Sequence, residues 1–181
     1  MSTKIERTIE IPKGVEVTLK SNFIEVKGPK GETKKRLAEP SVSVKREGNV
    51  IILNADKNSK KEKRIINTFV AHIKNLMHGV TEGYEYTLKI CSGHFPMTVT
   101  TDQKNIVVKN FLGEKVERIA KIAPHTKVDI KGDVIVISGV NKEEVGQTAS
   151  NIEQSTRITN RDRRIFMDGL WITSKAGRKM E

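Results

Sequence analysis

The chain repeats itself, and the repeat constrains its architecture more than any other feature. NFIEVKGPKGE at 22–32 is answered by KNIVVKNFLGE at 104–114, each with branched apolar residues, Val-Lys, and a Gly-Glu at equal distance. Downstream, VSVKREGNVIIL at 42–53 is answered by VDIKGDVIVI at 128–137. Both are alternating runs folded at a glycine-containing polar turn, the pattern of a β-hairpin. Halves that match in order and spacing imply one structural unit built twice.

Each hairpin is followed by a helix signal. Ser59 with Glu62 three residues on is a capping box, and Ile65, Ile66, Phe69, Val70, Ile73, Leu76 and Met77 share one helical face until Gly79, which is expected to stop the helix. In the second half Asn141 stands in the same relation to Glu144, ahead of a thinner stripe of Val145, Ala149 and Ile152. Gly146 and the Thr and Ser residues weaken this second helix, so tertiary packing must supply most of its stability. The remaining apolar runs, among them VEVTL, YTLKI, IVVKN and VIVI, are short and alternating, which suits antiparallel strands with one covered face. The expected fold is therefore α+β: two tandem duplicated domains, 1–82 and 83–181, each a mainly antiparallel β-sheet packed with one α-helix, joined near HGVTEGY.

Charge bears on partners. Thirty-three Lys and Arg against 22 Asp and Glu leave a formal +11, an excess that attracts polyanions such as nucleic acid or acidic surfaces. The single cysteine, Cys91, has no partner for an internal disulfide, and MSTKIERTIEIPKG lacks the apolar core of a signal peptide, so an intracellular protein is expected. No window approaches the ~20 apolar residues that span a bilayer, which argues against a membrane role.

Little in the sequence points to catalysis or to a cofactor. Cys91 and His94 in KICSGHFP have a spacing seen among metal ligands, but no second Cys/His pair completes a site. As nucleophile and base they lack a recognisable orienting group and oxyanion site; a half-buried thiol beside a turn is the expectation. GPKG at 28–31 reads as a turn, with Pro29 presetting φ, although Lys30, Lys34, Lys35 and Arg36 make it a possible phosphate contact. KNSKKEKR at 57–64 sets five cations at and before a helix N-terminus, against the dipole's preference, and reads as a solvated basic face or a hint of an anionic partner.

The densest cation cluster lies near the C-terminus, where Arg157, Arg161, Arg163 and Arg164 fall within eight positions. Arginine is the sharper signal, because the planar guanidinium contacts phosphate in bidentate fashion and stacks on bases. Two conformations serve the following IFMDGLWI: a tight hairpin at Asp168-Gly169, or one strand running through and joining the second domain's sheet. In either, Phe166 or Trp171 can anchor the segment and hold the neighbouring arginines in place before a ligand arrives.

The run QSTRITNRDRRIFMDGLWITSK, from Gln154 to Lys175, resembles the signature of the archaeal and eukaryotic branch of the family of ribosomal protein six of the large subunit. The matching positions are Gln154, Ile158, Arg161, Arg164, Phe166, Asp168, Gly169, Leu170, Ile172 and Lys175; Trp171 departs, standing where tyrosine is commoner. GHFPMTV and VKNFLGEKVER are similar to the same branch, and the resemblance extends over essentially the whole chain. It implies a non-enzymatic structural constituent of the large ribosomal subunit, in the cytoplasm. Its implied partners are large-subunit ribosomal RNA near the sarcin-ricin loop, neighbouring ribosomal proteins and, transiently, translational GTPases. It also implies that the second domain makes most of the RNA contacts. The candidate RNA-binding set is Arg157, Arg161, Arg163, Arg164, Lys175, Arg178 and Lys179 on phosphates, and Asp168 and Gly169 shaping the segment. Lys89, His94 and Phe95 join it by proximity to GHFP. The rival reading is a protein-interaction adaptor with a basic surface, which would keep its partners after RNA is destroyed.

Overall fold

In the computed structural model, residues 5–20 and 22–180 are described. The chain divides into two compact units, Met1–Gly83 and Tyr84–Glu181.

In the first unit β1 (Ile5–Glu10), β2 (Glu16–Lys20), β3 (Phe23–Gly28), β4 (Gly31–Arg36), β5 (Val42–Glu47) and β6 (Val50–Ala55) precede α1 (Lys60–Thr81). They form two antiparallel three-stranded sheets, β1-β6-β5 and β2-β3-β4. Because alternate side chains of a strand face opposite ways, Val17, Ile24 and Val26 of one sheet and Ile9, Ile51 and Leu53 of the other are buried, and α1 packs against both sheets. The 42–53 hairpin forms as expected, turning at Gly48 in the left-handed region.

Ser59 caps α1, its hydroxyl accepting from the Lys61 amide at 3.2 Å and meeting the Glu62 carboxylate. The helix does not stop at Gly79. Glu82 and Gly83 donate from their backbone N–H groups to the His78 carbonyl, at 2.9 and 3.3 Å, and Gly83, with φ +78°, supplies the left-handed residue that ends it. A glycine inside a helix costs about 1 kcal/mol relative to alanine, less than the gain from burying Val80 one residue later.

The β3–β4 turn is built against that same helix end. Pro29 and Lys30 sit between paired Gly28 and Gly31, as GPKG implied, and the Lys30 amide donates to the Val80 carbonyl at 3.0 Å. The Lys30 ammonium is bonded to the Glu82 carbonyl, so this cation complements a helix C-terminus. A Cβ at Gly28 would lie 2.8 Å from both Val80 Cγ2 and the Val80 carbonyl oxygen. Gly28→Ala is accordingly expected to destabilise the first unit by about 1–3 kcal/mol, read as a lower denaturant midpoint. An unchanged midpoint would mean that the turn and helix separate at little cost.

The second unit repeats the plan with β7 (Tyr84–Cys91), β8 (Thr98–Asp102), β9 (Asn105–Lys109), β10 (Arg118–Lys121), β11 (Thr126–Lys131), β12 (Val134–Gly139) and α2 (Lys142–Ser155). It then adds β13 (Gly169–Lys175) and β14 (Arg178–Lys179). The β10-β9-β8 sheet matches β2-β3-β4, while the other sheet grows to β11-β12-β7-β13-β14. Asn141 caps α2 by accepting from the Glu143 amide at 3.0 Å and donating to Glu144 at 3.0 Å; Val145, Ala149 and Ile152 are fully buried. Neither helix is long and apolar enough to cross a membrane.

Candidate nucleic-acid interface

Neither conformation expected for IFMDGLWI holds in full: residues 165–168 belong to no strand, and only the stretch from Gly169 onward joins the second unit's sheet. Asp168-Gly169 is not a hairpin turn: β13 begins at Gly169 and pairs antiparallel with β7, Gly169 opposite Cys91 and Trp171 opposite Lys89. The hairpin comes later, where Ala176 and Gly177, both at positive φ, join β13 to β14. Cys91 is half-buried at the end of β7, and among the described residues no group of three His, Cys, Asp or Glu side chains could hold a metal.

Between α2 and β13 the chain makes an irregular excursion, residues 156–168, pinned at three places. At its start the Arg118 guanidinium donates to the Ser155 and Arg157 carbonyls, at 3.0 and 3.2 Å, satisfying acceptors left open at the helix end. Arg118 is itself held by a two-point contact with Glu114, at 2.6 and 2.7 Å, and lies 4.3 Å over the Phe111 ring. The bonds from Arg118 hold the Glu114 carboxyl below the usual carboxylate range, and the nearby Arg161 charge acts in the same direction. At its base, the buried Thr156 hydroxyl accepts from the Leu170 amide at 2.9 Å, fastening the start of the excursion to the start of β13.

The third fastening is Asp168. Its carboxylate is 3% exposed and accepts three donors from the loop after β7: the Gly93 amide at 2.5 Å, the His94 amide at 2.9 Å and His94 Nδ1 at 2.5 Å. Burial alone would raise its pKa, but these bonds outweigh that and hold the carboxyl below the ordinary aspartate range. Because a carboxylate only accepts, His94 Nδ1 carries the proton and donates.

On this frame the aromatics carry the cations. His94 stacks on Phe166, with ring centroids 4.8 Å apart, and the Arg161 guanidinium lies 4.9 Å from the Phe166 centroid. Arg163 lies 5.3 Å from the Trp171 ring, whose Nε1–H is fixed by the Met167 carbonyl at 3.0 Å. Phe166 also packs on the core, while Ile165 and Met167 on either side are each 64% exposed. Arg164 is almost fully exposed beside Asp162, at 3.3 Å.

The expected set thus separates into groups. Arg161, Arg163 and His94 gather around Phe166 and Trp171, Lys89 stands opposite Trp171 on β7, and Arg164 is exposed beside Asp162. Arg157 is exposed at the end of α2, and Lys175, Arg178 and Lys179 are exposed on the β13–β14 hairpin. Phe95 is 47% exposed, and its ring lies over Gly113, where an added Cβ would come within 3.6 Å. Asp168 and Gly169 are buried at the base of the loop, where Asp168 bonds to Gly93 and His94. Arg118, Glu114 and Thr156 were missed. VKNFLGEKVER contains two of them, but no local pattern announces that Arg118 reaches the end of a helix 37 residues further on.

Comparison with known proteins follows the same duplication. The sequence model of the family described as Ribosomal protein L6 matches twice, over residues 11–83 and 95–169. The large ribosomal subunit protein uL6 of Methanosarcina mazei is 49% identical over 177 residues, 97% of this chain and 100% of its own length. The proteins of the same name from Methanocella arvoryzae and Desulfurococcus amylolyticus are each 45% identical, over 97% and 94% of this chain and 100% and 95% of their own lengths.

Proposed function

The chain belongs to the ribosomal protein L6 family, and on that premise we propose that it is a structural constituent of the large ribosomal subunit in the cytoplasm, bound to large-subunit ribosomal RNA through its second unit. The RNA segment is the neighbourhood of the sarcin-ricin loop, beside neighbouring ribosomal proteins and close to where translational GTPases dock. The protein carries out no reaction; it holds folded RNA.

The observation that carries this reading is the display of Arg161 and Arg163 over Phe166 and Trp171 on a loop fastened by Asp168. Phosphate contacts supply most of the affinity for nucleic acid, and a guanidinium meets a phosphate with two parallel bonds. Ordering long side chains at the moment of binding costs about 0.5–1.5 kcal/mol each, and a side chain already stacked on a fixed ring avoids part of that cost.

Cosedimentation of the tagged full chain with large subunits at rising salt tests the reading. We expect association at moderate salt and release only at high salt, as many phosphate contacts require. A chain that stays at the top of the gradient at low salt, or that keeps polypeptide partners after ribonuclease treatment, would leave the adaptor reading in its place.

A further inference from the structure

The first unit carries an aromatic side chain that its fold does not require. Ile24 and Val26 of β3 face the core, so Phe23, Glu25 and Lys27 point outwards from the middle strand of the β2-β3-β4 sheet. Phe23 is 45% exposed, and its cross-strand neighbours on that outer face are Lys20 of β2 and Arg36 of β4. In the second unit the equivalent strand has Asn105 at this place, between Asp102 and Lys121. One copy of the duplicated sheet therefore stands without the ring and without two flanking cations.

Charge distribution sharpens the contrast. Counted by unit, the first holds 17 Lys and Arg against 10 Asp and Glu, a net +7, and the second 16 against 12, a net +4. The second unit has the denser arginine cluster, but the larger excess lies in the first. On the outer face the Lys20 ammonium is bonded to Glu25 at 2.8 Å, so these two charges offset each other and the net positive charge beside the ring is that of Arg36. Arg36 has no ion-pair partner among the described residues.

We infer that Phe23, framed by Lys20 and Arg36, is a stacking site for an unpaired nucleotide of RNA, a second contact that the first unit makes independently of the arginine loop. The base lies on the ring and Arg36 meets an adjacent phosphate, the combination by which single strands are held without sequence preference. A duplex has its base faces covered and cannot use the ring, and an acidic peptide would match the cations while leaving the ring without a stacking partner. The inference rests on the RNA-binding reading above and extends it to the other unit.

The test uses the full chain, a labelled oligouridylate of about eight nucleotides, within the usual footprint of a single-strand site, and a duplex of equal length. Phe23→Ala is expected to weaken single-strand binding about tenfold, with the duplex unaffected, while Phe23→Trp preserves it. Arg36→Ala is expected to make the log-log salt slope shallower by about 0.7. The Phe23→Ala effect should persist in a chain that also carries Arg161→Ala and Arg164→Ala. Equal oligouridylate affinity for wild type and Phe23→Ala overturns the inference, as does a failure of the wild type to bind the oligonucleotide while it still sediments with large subunits. Both outcomes leave the main reading standing; absence of both associations removes the two together. Loss of a polypeptide partner in Phe23→Ala at unchanged RNA affinity would reassign the ring to protein docking.

Discussion

Replacing Arg161 and Arg164 together with alanine is expected to weaken association with ribosomal RNA about 100-fold at moderate ionic strength. A hydrogen bond to a charged group contributes about 1.5–3 kcal/mol, so deleting two guanidinium–phosphate bonds removes roughly 3 kcal/mol or more. The log-log salt dependence should become shallower by up to ~0.9 for each phosphate left without its cation. The two residues differ in kind: Arg161 lies against the Phe166 ring, whereas Arg164 is 92% exposed beside Asp162. Separated, Arg161→Ala should therefore have the larger effect, because a pre-positioned side chain loses less freedom on binding. Neither arginine supports the core, so the double variant should fold; unaltered RNA binding by that folded protein would remove the arginine loop from the interface.

The second large effect concerns the frame. Asp168→Ala removes the acceptor of two backbone N–H groups and an imidazole, leaving the Gly93 and His94 amides without it in a part-buried site. A hydrogen bond to a charged group contributes about 1.5–3 kcal/mol, and with the donors only part-buried the loss of this carboxylate is expected to cost roughly 3 kcal/mol. The protein's single tryptophan, Trp171, sits in β13 three residues after Asp168 and gives a fluorescence signal for the second unit alone. We expect its unfolding midpoint to fall sharply in Asp168→Ala, and less in Asp168→Asn, which keeps an oxygen for the amides but turns a donor towards His94.

Acidity offers a second readout of the same interaction. The folded-state pKa of Asp168 lies below its unfolded value, so the unfolded state binds more protons in the interval between them. The stabilisation is complete above the ordinary aspartate range and is lost as pH falls through the depressed folded value. Asp168→Asn should flatten that part of the stability profile. An Asp168→Asn profile parallel to wild type in acid would show that the carboxylate charge contributes nothing there.

Much of the architecture was legible because the signals for it are local. Alternation marks the strands, Gly48 marks the first repeated hairpin, and Ser59 and Asn141 mark the helix starts, since each acts on backbone within a few residues. Gly79 by itself signals a stop, whereas burial of Val80 against the Gly28 turn carries the helix on to Thr81, and Gly83 ends it. The arginines and the anchoring aromatics were visible as a cluster. Which ring carries which guanidinium was not, because that depends on the path of residues 156–168 through space.

By itself, then, the sequence determined a duplicated α+β chain with its strands, its helix starts and a basic aromatic segment near the end, all properties set by neighbours in the chain. Only the tertiary structure decided that Asp168 would bond to His94, 74 positions earlier, that Arg118 would close the end of α2, and that β13 would lie along β7. Those bonds form because buried donors and acceptors must find partners wherever folding brings them. Short-range patterns carry no mark of which distant group that will be.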